Sequence, residues 1–393
     1  MRISGVRSFP VQTPFPHRGG RHWLFVRVDT AEGICGYGEV YSNGVPFRPQ
    51  VMAQMIDDLV DRVLLGHDPY ETEGLFHKLY NLEYSHYPEL TKLAIISGLE
   101  MACWDIVGKD VGRPVHRLLG GAVRDRIRTY TYLYPDPATG QHHREFWLRS
   151  EEVAERAAHY VGLGFTAVKL DPFGTIPGAD QALGQLVPVT YSLPALDRAE
   201  TTIRLIREAV GSAADILVGT HGQMTAAGAI RVARRLEPYD PLWFEEPVPP
   251  ENAAEMALVA RATSIPITTG ERLTTKYDFA ELLRHQAAAI FNLDVGQVGG
   301  ILEARKIAGM AEAHYVQVSP HVWGGPLIAA ASIQLAATCP NFLIMETIEG
   351  FEGLHAELID PPIVWRDGWV VPSDRPGLGH DLVESAAERY AVV

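Results

Sequence analysis

Cysteine is scarce in this chain: Cys35, Cys103 and Cys339 are the only three among 393 residues, scattered and each set among apolar neighbours. An odd, dispersed trio excludes a disulfide framework and reads as free buried thiols in a reducing compartment. Long apolar runs are also missing. No stretch approaches the roughly 18 uninterrupted apolar residues of a membrane span. Residues 1–11 lack the apolar core and small-residue cleavage pattern of a secretion signal, so a cytoplasmic location is expected. Basic residues are in deficit, with 34 Lys and Arg against 48 Asp and Glu and a formal net charge of -14. No Lys/Arg-rich cluster interrupts that balance, so partners such as nucleic acid and anionic membrane surfaces are not expected. Low-complexity segments are absent as well.

What remains is the composition of a soluble globular protein with a sizeable core: 47% apolar and 21% charged. The length suits a barrel of roughly 250 residues with an added module. At the N-terminus, strand-like runs at 2–13, 23–29 and 35–40 predict an antiparallel meander. From 51 to 108 the period becomes helical, with Met55, Leu59 and Val63 on one face and, further on, Leu93, Ile96, Leu99, Cys103 and Ile106. Beyond residue 126 the pattern is strand then helix, repeated. Strands are expected at 127–133, 167–170, 216–220, 242–245, 267–270, 289–292, 315–319 and 342–346, with helices such as 226–236 and 301–313 between them. Eight strands is the number a closed parallel (β/α)₈ barrel requires. The fold class expected is therefore α/β, a modified TIM barrel over 126–360 with an N-terminal α+β capping domain over 1–125 that the tail 361–393 rejoins. One connection, 172–195, is long and rich in Gly and Pro, as lids and binding loops are.

Chemistry sits at the ends of these strands. Trp243-Phe244-Glu245-Glu246-Pro247, Gly270-Glu271-Arg272, Asn292-Leu293-Asp294 and Ser319-Pro320-His321 each place an ionisable group just after a short apolar run. In a barrel the carboxyl ends of all strands open on one face, so these groups converge. Carboxylates at two ends make a site for a hard cation, and an Asp with a His at two later ends makes an acid/base pair. Glu246 is expected to pair with a neighbouring Lys or Arg.

Taken with Gly36-Tyr37-Gly38-Glu39, Cys103-Trp104-Asp105-Ile106, Leu118-Leu119-Gly120-Gly121, Val168-Lys169-Leu170-Asp171, Gly299-Gly300 and the closing Pro376-Gly377-Leu378-Gly379, these motifs resemble the enolase superfamily. Within it they are most similar to the mandelate racemase/muconate lactonizing group, over nearly the whole chain. The resemblance implies a divalent cation, Mg2+ with Mn2+ as an alternative, that stabilises the enediolate formed when a base removes the proton beside a substrate carboxylate. It also implies a homo-oligomer, from dimer to octamer.

Carried over residue by residue, Glu245 and Glu271 match two of three metal ligands. The third position falls on Gly219, within Val218-Gly219-Thr220-His221-Gly222. Asp171, ending the adjacent strand, is the expected substitute. His221 is the other, although imidazole would shift the preference toward manganese or zinc. The spacing from Gly219 to His221 matches that of the family's acid-sugar dehydratases, in which the His protonates the departing hydroxyl. Lys169-Leu170-Asp171 lacks the second Lys of the racemase-like members. The resemblance therefore implies a dehydratase of an aldonic or related acid sugar, with His321 as base oriented by Asp294, His221 as acid, and Lys169 and Glu346 on the substrate carboxylate. An epimerase, a racemase or a cycloisomerase shares the proton abstraction, and a catalytically idle acid-sugar-binding protein is the reading of another class. His17, His22, His86 and Trp323 are further candidates to line the pocket.

Overall fold

The expected meander forms as β1 (Ile3–Gln12), β2 (His22–Thr30) and β3 (Cys35–Val40), paired antiparallel in that order. Three helices follow, α1 (Pro49–Leu59), α2 (Thr72–Tyr80) and α3 (Leu90–Val111). The computed structural model describes residues 1–84, 86–141, 143–174 and 188–392. Gly36 and Gly38 let α3 lie directly on the sheet: a Cβ at Gly36 would stand 2.2 Å from the Ala102 carbonyl oxygen, and one at Gly38 2.0 Å from that of Gly98. Neither glycine has a positive φ, so proximity rather than conformation demands them.

One helical face differs from the expectation. Met55 is exposed, Leu59 and Val63 are half-buried, and the inward face of α1 is Pro49, Met52 and Ile56. A π-helical turn over Val60–Leu64 then shifts the phase, so a single 3.6-residue period does not run through the segment. In α3, Leu93, Ile96, Leu99, Cys103 and Ile106 are buried as expected, along with most of the helix, because it is wedged between the meander and the rest of the chain.

The strand–helix repeat forms eight parallel strands: β4 (Ile127–Tyr132), β5 (Ala167–Leu170), β6 (Asp215–Gly219), β7 (Trp243–Glu245), β8 (Ile267–Thr269), β9 (Ile290–Phe291), β10 (Gln317–Val318) and β11 (Met345–Thr347). They neighbour one another in sequence order, and β11 pairs with β4. Between β10 and β11, Val318 N–H donates to Asn341 O, Leu343 N–H to Val318 O and Glu346 N–H to Pro320 O, which carries the ladder across the remaining gap. Tyr130, Ala167, Leu217, Trp243, Ile290 and Ile344 form a separate buried cluster, the packed interior that underlies the strand ends.

The tail supplies β12 (Ile359–Asp360), β13 (Trp365–Arg366), β14 (Trp369–Val370) and β15 (Asp381–Leu382). β14 pairs antiparallel with β4, and Ala391 bridges to Val11. Two buried glutamates join the first module to the barrel. Glu39 accepts from the backbone N–H groups of Gly325, Leu327 and Ile328, at the start of the helix Pro326–Thr338. Glu100 accepts from those of Ile301 and Leu302, at the start of the helix Ile301–Ala313. Each carboxylate satisfies amides that a helix leaves without internal partners. Of the three thiols, Cys103 and Cys339 are buried and Cys35 is half-buried, all free. Among the described residues no helix is long and apolar enough to cross a membrane.

Candidate active site

Parallel strands bring their carboxyl ends to one rim, and the predicted site residues stand there. Lys169 lies in β5, Gly219 ends β6 with His221 two residues on, and Glu245 ends β7. Glu271 follows β8, Asp294 follows β9, His321 follows β10 and Glu346 lies within β11. All except Gly219 carry ionisable side chains, and all but His221 are almost fully buried.

His321 Nδ1 lies 2.6 Å from Asp294 Oδ2. Asp294 is in turn fixed by the Gly296 N–H, which donates to its Oδ1 at 2.7 Å. The other imidazole nitrogen of His321, Nε2, is 3.5 Å from Glu271 Oε2 and 3.6 Å from Glu346 Oε2. On the opposite side of the same carboxylate, His221 Nε2 is 3.9 Å from Glu271 Oε1. One carboxylate thus stands between two imidazoles. His221 has a φ of 51°, a left-handed conformation that a side-chain-bearing residue adopts at a cost of about 1 kcal/mol or more and that clusters at functional sites.

Burial opposes protonation of His321, but the surrounding Glu346, Glu271 and Asp294 outweigh it and push the imidazole up to about 10. Glu271 moves the other way: burial would raise it, yet His321, His221 and Lys169 hold it well below the usual carboxylate range. Lys169 is fully buried, which favours its neutral form, but Glu245 keeps it firmly charged.

Glu245 is heavily engaged. Its Oε1 accepts from Lys169 Nζ at 2.7 Å and Asn292 Nδ2 at 2.8 Å, and its Oε2 from Trp243 Nε1 at 3.1 Å. Glu246, next in the chain, is held by Arg272, through Nε at 2.7 Å and Nη2 at 2.6 Å, the structural pairing expected of it. The Asp171 oxygens are taken up elsewhere: Oδ1 accepts from the Phe173 N–H at 2.9 Å and Oδ2 from Gln223 Nε2 at 2.6 Å. Gln223 also accepts from the Tyr191 hydroxyl, whose ring stacks on Phe173 with centroids 4.0 Å apart. Asp171 therefore organises the turn after β5. Much of the long connection, 175–187, lies outside the described residues.

Tyr132, the last residue of β4, is a site residue that the sequence reading does not single out. Its hydroxyl is 3.4 Å from His221 Nε2, and Lys169 Nζ lies 4.8 Å from its ring centroid. Its place at a strand end is the same signal that marks the other site residues. Trp323 packs edge-on against Tyr132. His17 hydrogen-bonds within its own turn to Thr13, and His86 is exposed.

Donor chemistry in this cluster suits a hard cation. Glu245 and Glu271 supply carboxylate oxygens, and among the described residues the buried Glu271 Oε2 and Glu346 Oε1 have no hydrogen-bond donor. Position 219 supplies no ligand. Among the described residues no three His, Cys, Asp or Glu side chains are gathered so as to hold an ion by themselves, so Glu245 and Glu271 would need substrate or water to complete a coordination shell.

Residues 2–120 match the mandelate racemase/muconate lactonizing enzyme N-terminal domain family, and residues 152–386 match the enolase C-terminal domain-like family. D-galactonate dehydratase of Ralstonia nicotianae is 34% identical over 370 residues, covering 92% of this chain and 89% of that protein. The D-galactonate dehydratase of Pectobacterium atrosepticum is 32% identical over 368 residues, covering the same shares. Among solved structures, a candidate mandelate racemase/muconate lactonizing enzyme from Burkholderia SAR-1 superposes with a TM-score of 0.94 at 50% identity, covering 100% of this chain and 94% of that one.

Proposed function

The chain belongs to the mandelate racemase/muconate lactonizing enzyme group of the enolase superfamily, and from that premise we propose that it is a hydro-lyase that dehydrates an acid sugar. The observation that carries this reading is the Glu271 carboxylate flanked by His321 on one oxygen and His221 on the other. Elimination of water needs a base on the carbon beside the carboxylate and an acid on the neighbouring hydroxyl, because hydroxide leaves poorly until it is protonated.

His321, held by Asp294, takes the C2 proton through Nε2. The ammonium of Lys169 and the carboxyl of Glu346 hold the substrate carboxylate. His221 gives its proton to the C3 oxygen, the C3–O bond breaks, and water departs as the C2–C3 double bond forms. The resulting enol tautomerises to a 2-keto-3-deoxy acid. A magnesium or manganese ion held by Glu245 and Glu271 would neutralise those carboxylates, letting His321 rest unprotonated, and would stabilise the charge that develops on the substrate. Both D-galactonate dehydratases at 32–34% identity support the substrate class, and D-galactonate is the first acid to test.

An epimerase or racemase would use the same base and would not need His221. His221→Asn separates them. The expected result is loss of keto-acid formation, by at least about a hundredfold, with exchange of the C2 proton into deuterated water retained. Unchanged dehydration by the variant would remove His221 from the mechanism, whereas C2 inversion with no keto acid formed by the unaltered chain would favour the racemase reading.

A further inference from the structure

Gly219 is a glycine for reasons of space. Its φ is not positive, and it pairs regularly with Glu245 across the β6–β7 ladder, so the backbone accepts any residue there. A Cβ at that position, however, would lie 2.6 Å from Lys169 Cε, 3.2 Å from the Tyr132 hydroxyl and 3.7 Å from Glu245 Oε2. The corner where a third carboxylate is expected is filled by the Lys169 side chain, fully buried, with its ammonium 2.7 Å from Glu245 Oε1 and 3.9 Å from Glu346 Oε1. A side chain at 219 and Lys169 in this position exclude each other.

We propose that Lys169, admitted by Gly219, is a resident cation on Glu245, and that divalent ions bind this pocket in competition with it. The proposal rests on the cation site described above and deepens it. A dication on Glu245 and Glu271 must either displace the ammonium from Glu245 or tolerate a like charge a few ångströms away, and in a buried pocket that repulsion is strong. Affinity for a divalent ion is then set by Lys169 as much as by the carboxylates.

The test uses Mn2+ alone, titrated into the full-length, chelator-stripped protein and followed by electron paramagnetic resonance and calorimetry. Lys169→Gln keeps a hydrogen-bond donor for Glu245 and removes the charge, and it should bind Mn2+ at least about tenfold more tightly than the unaltered chain. Gly219→Ala provides a second route, because the added methyl group pushes Lys169 off Glu245; its Mn2+ affinity should also rise. Circular dichroism establishes which variants fold, and a folded variant of either kind is sufficient. Mn2+ affinity equal to or weaker than that of the unaltered chain in the folded variants would overturn the proposal. No substrate enters the titration, so a failure of acid-sugar dehydration leaves this result standing on its own.

Discussion

Replacing Asp294 by Asn tests the base most directly. The substitution preserves shape and removes a charge. Asp294 Oδ1 is fixed by the Gly296 N–H at 2.7 Å, so the amide oxygen of Asn takes that acceptor role and its NH2 group points toward His321 Nδ1, where Oδ2 now sits at 2.6 Å. A donor facing Nδ1 forces that nitrogen to accept. The imidazole proton then moves to Nε2, the nitrogen on the pocket side that takes the C2 proton in the proposed reaction, and such a base is disabled by its tautomer. Buried His–Asp pairs that are disturbed in this way lose up to about 10⁴ in turnover, and a general base by itself contributes about 10²–10⁴. We expect kcat to fall by about 10³, roughly 4 kcal/mol of barrier, while KM changes only a few-fold because Asp294 does not reach the carboxylate-binding end. Keto-acid formation and C2 proton exchange, followed in the same deuterated sample, should fall together. Retention of either rate within about threefold would refute the assignment of His321 as base.

Two further predictions concern stability. His355 is buried with Nε2 3.1 Å from Gly324 O and its ring centroid 4.7 Å from that of Trp23, and burial lowers it to about 4 despite that hydrogen bond. Because the folded value lies below the unfolded one, the stabilisation is present above about pH 6.5 and is lost as pH falls toward 4. Between pH 7 and 4.5 the unaltered chain should lose about 2 kcal/mol more unfolding free energy than His355→Asn in urea titrations, and parallel losses would discount His355. Removing the Glu39 carboxylate leaves the buried amides of Gly325, Leu327 and Ile328 without their acceptor. Glu39→Ala should lose about 3–5 kcal/mol in the same assay, and a loss under about 1 kcal/mol would show that water or a neighbouring group takes over.

Elements whose signal is local are legible in the chain itself. The strands Cys35–Val40 and Ala167–Leu170 and the helices Ala226–Leu236 and Ile301–Ala313 fall at the expected bounds, because a short apolar run or an amphipathic period is written within the segment. The rim carboxylates and histidines are legible for a similar reason, each following such a run. What the chain does not write locally is who meets whom. The phase of α1 departs from the expected face because a π-helical turn interrupts the period after it. The hydrogen bond that Asp171 accepts from Gln223, 52 residues on, is likewise unannounced in the chain around Asp171. Tyr132 acquires a role only beside His221, and the fit of Lys169 over Gly219 depends on two strands lying next to each other. These are facts of packing, and no local pattern encodes them.

The helix-starting roles of Glu39 and Glu100 tie the N-terminal module to the chain on either side of His321. Swinging the N-terminal module away as one piece would deprive five amides, those of Gly325, Leu327, Ile328, Ile301 and Leu302, of their acceptors in one motion. Each of those amides would then have to find water or another acceptor in place of a carboxylate. The helix that Glu39 anchors begins a few residues beyond His321, so the carboxylate that joins the module to the barrel also fixes the chain leading out of the proposed base.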